Sequence, residues 1–226
     1  MTTTLKVLST LALKGVLART VPEFERAASI RLDLRYEATQ AALKLIAAGE
    51  RADLYILTSE AMDQLQKEGK VRDARVLGSS GVGVAVRAGA KRPDIGSAEA
   101  FTRALLAAES VAHSKVGASG IYFSGILERL GIADRLKKRV IVEKGPVGAV
   151  VASGEAEIGV QQLCELAPVA GIDIVGPLPG TLQKITSFAA GIPPGSGAAA
   201  EAGRLIDFLC SEAAHAAMKA GGMQPA

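Results

Sequence analysis

A chain of 226 residues can bury the core of one large domain or of two lobes of about 100 residues each, and cannot make three. Its 26 Lys and Arg nearly balance 23 Asp and Glu, for a net charge of +3. The basic residues are scattered through helical stretches, aromatic residues make up 4% and tryptophan is absent, which leaves neither the basic track nor the stacking platforms of a nucleic-acid binder.

LKVLS, residues 5–9, reads as a buried strand. MTTTLKVLST around it lacks the basic, apolar, small-residue order of a signal peptide, so the chain as it stands is expected to be cytoplasmic, or periplasmic if a signal has been removed. LALKGVLARTVPEFERAAS follows with helical spacing of Leu11, Val16, Leu17 and Phe24, and Pro22 should kink or split it. Thr20 and Glu23 have the spacing of a capping box for a fresh helix start. IRLDLRY alternates like a half-buried strand, TQAALKLIAAG is a helix stopped by Gly49, ADLYIL is a strand, and SEAMDQLQKEG is a helix stopped by Gly69. GVGVAVRAG, residues 81–89, is a strand whose glycines suggest a crossing point. Beyond it come a helix at AEAFTRALLAAE, a strand near SVAHS, the helix GIYFSGILERLGI, the strand RVIVEK, the helix PVGAVVASG and the strand EIGVQQ. GIDIVGPLPG and KITSFAAGI supply two further strands, and the final helix GAAAEAGRLIDFLC is expected to run on into SEAAHAAMKAGG.

Alternating strands and helices predict α/β lobes, each a mainly parallel sheet with helices on both faces. Ligands of such sheets sit beyond the carboxyl ends of the strands. The loops there are LSTLAL, RYEATQAA, ILTSEA, SKVGASG, EKGPVGA and VQQLCE, rich in Ser, Thr, Gln and Gly. In HSKVGASGIYF, amides near Ser119 and Gly120 could cradle a carboxylate or oxyanion with Lys115 as counter-charge; the plainer alternative is a turn capped by Ser119. Ser9 and Thr10, Thr39 and Gln40, and Ser59 are the polar groups of the first three loops. Pro146 leaves bare amides at Val147 and Gly148, and Gln161 with Gln162 could read a carboxylate and a hydroxyl. Glu37, Glu60 and Asp63 read as solvated surface carboxylates. Cys164 and Cys210 form no CxxC, and His113 and His215 stand alone, so neither a metal nor a cofactor is expected. Charges or turns interrupt every apolar stretch before about 18 residues, so no membrane insertion is expected.

LALKGVL, AALKLIAAGERADLYILTSEAMDQLQKEGKV, GASGIYFSGILERLGI, GEAEIGVQQLCEL and KITSFAAGI, in that order and at those intervals, resemble the molybdate-binding branch of the type II periplasmic solute-binding family. The resemblance implies two lobes, 1–82 with 184–226 and 83–183, hinges near 81–88 and 173–186, and a ligand cleft at the hinge. Ala12 stands where the molybdate binders have a serine, EATQ where their second loop is serine-rich, and Gln162 where they have a tyrosine, so a carboxylate is expected in place of molybdate. VQQ and GPLP are similar to a divergent branch whose relatives include aconitate isomerases. The expected function is a monomeric binder of a small anion, partnered by an ABC-transporter permease if exported. The alternative is an isomerase moving a proton on an unsaturated tricarboxylate, with His113, Lys115 and Glu37 as candidate bases.

Overall fold

Leu5, Val7 and Leu8 are buried in the first strand and are followed by a run of strand and helix that repeats through the chain. In the computed structural model, which describes residues 3–226, the order begins β1 (Thr3–Thr10), a 3-10 turn (Leu11–Leu13), α1 (Lys14–Ala28), β2 (Ile30–Glu37), α2 (Thr39–Ala47), β3 (Leu54–Thr58) and α3 (Ser59–Lys67). It continues β4 (Arg72–Arg87), α4 (Ala98–Ala107), β5 (Val111–Ser114), α5 (Ala118–Arg129), β6 (Arg139–Val142), α6 (Val147–Ala152) and β7 (Ile158–Gln162). The rest is α7 (Leu163–Leu166), β8 (Ile172–Pro177), a 3-10 turn (Gly180–Leu182), β9 (Ile185–Ile192), α8 (Ala199–Leu209), α9 (Glu212–Ala220) and β10 (Gln224–Pro225). The chain divides into a first unit, residues up to Ser80 with Thr186–Ala226, and a second unit, Gly81–Ile185.

In the first unit β2, β1 and β3 are parallel neighbours, with Ser9 opposite Tyr36 on one side and Ile56 on the other, and β9 runs antiparallel to β3. Leu8, Tyr55 and Leu57 pack under Ala42 and Ile46 of α2 and Ala61, Met62 and Leu65 of α3. α1 packs against β2 and α9, its Phe24 ring 5.3 Å from that of Phe208 in α8.

Two expectations fail here. Pro22 neither splits nor restarts α1, which is one helix of 15 residues. Thr20 is buried and donates its hydroxyl to the Val16 carbonyl at 3.0 Å, so it caps nothing. The proline is tolerated because Pro22 and Ala18, whose carbonyl the missing N–H would have bound, both face solvent. The last helix also breaks: Ser211 is extended (φ −85°, ψ 162°) and donates its hydroxyl back to the Phe208 carbonyl at 2.6 Å, ending α8; it is the N-cap residue of a separate α9 without a side-chain cap bond.

In the second unit β6, β5 and β7 are parallel neighbours, β4 runs antiparallel to β7, and β8 antiparallel to β4. Val82, Val84 and Val160 pack with Phe101 of α4 and Phe123, Ile126 and Leu127 of α5. Ala112, Val147 and Val151 form a smaller cluster with α6, so both faces carry helices. β4 begins at Arg72, well before the strand expected at 81–89, because charges and a glycine in RDARVLGSS hide its alternation. The Gln183 amide closes this unit: Val82 N–H donates to its Oε1 at 2.9 Å and its Nε2 donates to the Val82 carbonyl at 2.9 Å.

Candidate functional site

Each unit ends three parallel neighbours at one edge, at Glu37, Thr10 and Thr58 in the first and at Val142, Ser114 and Gln162 in the second. A helical turn or a loop leading to one follows each, so unpaired N–H groups emerge there together.

Ser9 is fully buried and donates its hydroxyl to the Thr10 carbonyl at 3.1 Å. Thr10 precedes the 3-10 turn without capping it through its side chain, and Ala12 is buried within that turn. Thr39 opens α2 behind Ala38, which has no side-chain acceptor, and Gln40 beside it is exposed. α3 is different: Thr58 Oγ1 accepts from the Ala61 N–H at 3.4 Å. Next to it Ser59 Oγ is buried without a hydrogen-bond partner among the described residues. Glu37 pairs with Arg35 at 3.2 Å, while Glu60 and Asp63 are exposed.

At the end of β5 the glycines of SKVGASG have a packing cause. A Cβ on Gly120 would lie 1.9 Å from the Ser114 carbonyl oxygen, so only glycine lets α5 approach the strand. Gly117, not Ser119, is the N-cap residue; its N–H donates to Ser114 Oγ at 3.0 Å, and Ser119 is buried in the first turn. Lys115 reaches Glu143 at 2.8 Å with both side chains exposed. Such a pair contributes about 0.2–1 kcal/mol at most, so Lys115→Ala is expected to leave the urea-unfolding free energy within about 0.5 kcal/mol of wild type.

His113 lies under α5. Its Nδ1–H donates to the Ser114 carbonyl at 3.0 Å and its Nε2 accepts from Arg139 Nη2 at 3.1 Å, which fixes the neutral tautomer. Burial pushes the imidazole pKa down, the Ser114 carbonyl partly offsets this, and the Arg139 charge lowers it further. An imidazole depressed in the fold withholds stability only as pH falls below its ordinary value, where the unfolded chain takes the proton more readily. His113→Gln should therefore flatten the loss of stability on acidification below about pH 6.5, as measured by urea unfolding across pH.

The amide of Val147 is not bare: it donates to Gln161 Oε1 at 2.9 Å. That contact orients the Gln161 amide, and its Nε2 donates to the Glu165 carboxylate four residues on. Gln162 is buried at the last position of β7.

Three residues escaped the sequence reading. Arg139 holds His113 and Ser124 Oγ (3.2 Å), with its Nε buried and unpartnered. Glu165 is half-buried, and burial pushes its pKa up to about 7 against the opposing hydrogen bond from Gln161. The available signal for Glu165 was its spacing, four residues after Gln161 across a strand-to-helix turn. For Arg139 and Ser124 there was none, since β6 and α5 bring them to His113 from distant parts of the chain.

A polar concavity lined by Glu50, Arg51, Asp53, Lys70 and Ser196 lies at the other ends of the strands, in the loops before β3 and after β9. Its Asp53 is occupied, accepting from Lys6 N–H at 3.0 Å and Ser196 Oγ at 3.0 Å, so it reads as a loop junction.

This architecture is that of the periplasmic binding proteins. The Azotobacter vinelandii periplasmic molybdate-binding protein superposes with a TM-score of 0.79 at 19% identity, covering 97% of this chain and 98% of its own. The sulfate-binding protein SubI of Mycobacterium tuberculosis gives 0.75 at 16%, covering 99% and 87%. At such identities the likeness is one of fold. The chain belongs to the bacterial extracellular solute-binding protein family, whose pattern it matches over residues 5–224. An aconitate isomerase of Pseudomonas sp. is 39% identical over 232 residues, covering 99% of this chain and 88% of that enzyme.

Proposed function

We propose that this protein binds a small polycarboxylate of the aconitate type through strand-end loops. The observation that carries this reading is the 39% identity to an aconitate isomerase over nearly the whole chain, against 19% and 16% for the molybdate and sulfate binders. The loops suit a carboxylate ligand. Thr10, Thr39, Ser59 and Ser119 are neutral donors, the 3-10 turn and α2 lack side-chain caps, and the Ser59 hydroxyl has no partner among the described residues. Each helix start contributes about 0.3–1 kcal/mol, so several must act together. A thermal-shift series over trans-aconitate, cis-aconitate, sulfate and molybdate tests it. At 100 times its dissociation constant a ligand stabilises by about 2.7 kcal/mol, and the aconitates are expected to reach this while molybdate does not. Molybdate giving the largest shift would overturn the reading.

A second reading goes further: the bound aconitate is isomerised. Glu165 favours it, because a carboxyl with a pKa of about 7 beside the Gln161–Gln162 pair has the proton affinity that acid–base chemistry at neutral pH needs. Incubating trans-aconitate with the protein and following cis-aconitate by NMR separates a binder from an isomerase.

A further inference from the structure

We propose that Glu165 is the group that carries the proton in an allylic shift on the bound polycarboxylate, and that Gln161 is its positioning residue. The inference rests on the isomerase reading and adds the residue responsible.

Three features of the second unit single Glu165 out. The first is placement: Glu165 sits in α7, four residues beyond Gln161 across the strand-to-helix turn, at the edge where β5, β6 and β7 all end. The second is the absence of a cation partner among the described residues. Of the other carboxylates near these loops, Glu37 is tied to Arg35 and Glu143 to Lys115, while Glu60 and Asp63 stand in water. The Glu165 carboxyl is half-buried, and its hydrogen bond comes from a neutral amide. The third is that this amide cannot turn freely. Val147 N–H fixes Gln161 Oε1, which commits Gln161 Nε2 to the Glu165 carboxylate and leaves the other carboxylate oxygen for a substrate. His113, the imidazole of this unit, is excluded as base by the same standard, since both its nitrogens are occupied.

The chemistry balances on one residue. The Glu165 carboxylate takes a proton from the methylene carbon of trans-aconitate; the C–H electron pair becomes the new carbon–carbon double bond. The old π pair takes a proton at the former vinyl carbon, and the protonated Glu165 supplies it. No oxidant or second reactant enters. Burial, the principal cause of the raised proton affinity, makes the same carboxyl basic enough to take the proton and acidic enough to return it near neutral pH. α7 packs on β7, α6 and β8, on which the one titratable residue is Asp173, held by Gly89 N–H at 3.1 Å and facing Arg92 at 3.9 Å; α7 itself adds the buried thiol of Cys164.

The test compares wild type, Glu165→Gln and Gln161→Leu for trans-aconitate thermal shift, for cis-aconitate formation, and for deuterium incorporation at the allylic carbon in D2O. Glu165→Gln is expected to keep the thermal shift and to lose product formation and exchange by at least about 100-fold. Gln161→Leu removes the hydrogen bond that favours the carboxylate, so the acid limb of its kcat/KM profile should move to higher pH, which a purely structural role would not cause. A Glu165→Gln protein within a few-fold of wild type overturns the assignment while leaving the isomerase reading in place. An unmoved acid limb in Gln161→Leu overturns the positioning role. Wild type that binds trans-aconitate and yields neither product nor exchange overturns the isomerase reading, and the assignment with it.

Discussion

Replacing Glu165 by glutamine is expected to stabilise the folded protein by about 3 kcal/mol at pH 8 and to change nothing below about pH 4. The sign follows from linkage. In the unfolded chain the carboxyl titrates at its ordinary value of 4.5, and in the fold burial pushes it up to about 7. Between those values the folded state holds the extra proton, so stability falls as pH rises through that window and stays lower above it. Glutamine has the same shape, keeps a hydrogen-bonding partner for Gln161 and carries no charge to bury. Urea unfolding of the two proteins at pH 4, 6 and 8 gives the result directly. Curves separated equally at all three values would mean that the carboxyl does not titrate higher in the fold than in the unfolded chain. His113 acts in the opposite direction over the acid range, so the double variant with His113→Gln should show the flattest pH profile of the four proteins.

The other large effect is at Gly120. Its added Cβ would meet the Ser114 oxygen at 1.9 Å, the carbonyl carbon at 2.7 Å and Cα at 3.0 Å, all backbone, so no side chain can move aside. α5 would have to lift from β5, withdrawing Phe123, Ile126 and Leu127 from the core of the second unit. Gly120→Ala should therefore cost about 3 kcal/mol or more. Gly125, five residues along the same helix, meets nothing nearer than an arginine side-chain nitrogen at 3.8 Å. Gly125→Ala should gain about 0.5–1 kcal/mol from helix propensity alone. Equal behaviour of the two variants in urea unfolding would refute this account of the tight approach.

What the sequence made legible was what short-range pattern controls. The alternation of Ile30, Leu32, Leu34 and Tyr36 marks β2, and Gly49 and Gly69, at φ +92° and +66°, stop α2 and α3 where a left-handed residue is needed. The βα order led to parallel sheets covered on both faces. What it hid depends on distant neighbours. Pro22 is harmless because of which way Ala18 faces, and no local rule gives that orientation. Lys115 looked like a free charge until β6 brought Glu143 to it from 28 residues away. The two glycines of SKVGASG were read as room for an anion, whereas Gly120 is there for a helix resting on a strand. Gln161 was legible as a polar strand-end residue, but its coupling to both Val147 and Glu165 required the turn from β7 into α7.

The Gln183 amide has a consequence for the order in which the chain assembles. Residues 81–185 interrupt the first unit in sequence, so β9, α8 and α9 can join β1–β3 only after this whole insertion has been traversed. A loop of about 100 flexible residues costs roughly 4 kcal/mol in closure entropy. By holding the Val82 N–H and carbonyl, Gln183 ties together two points 101 residues apart using contacts internal to the insertion. A second unit that folds first thereby presents its two ends already joined, and the first unit completes itself across a short bridge instead of a long coil. During synthesis the order is set by the ribosome as well, since the insertion is made before the closing strand of the first unit.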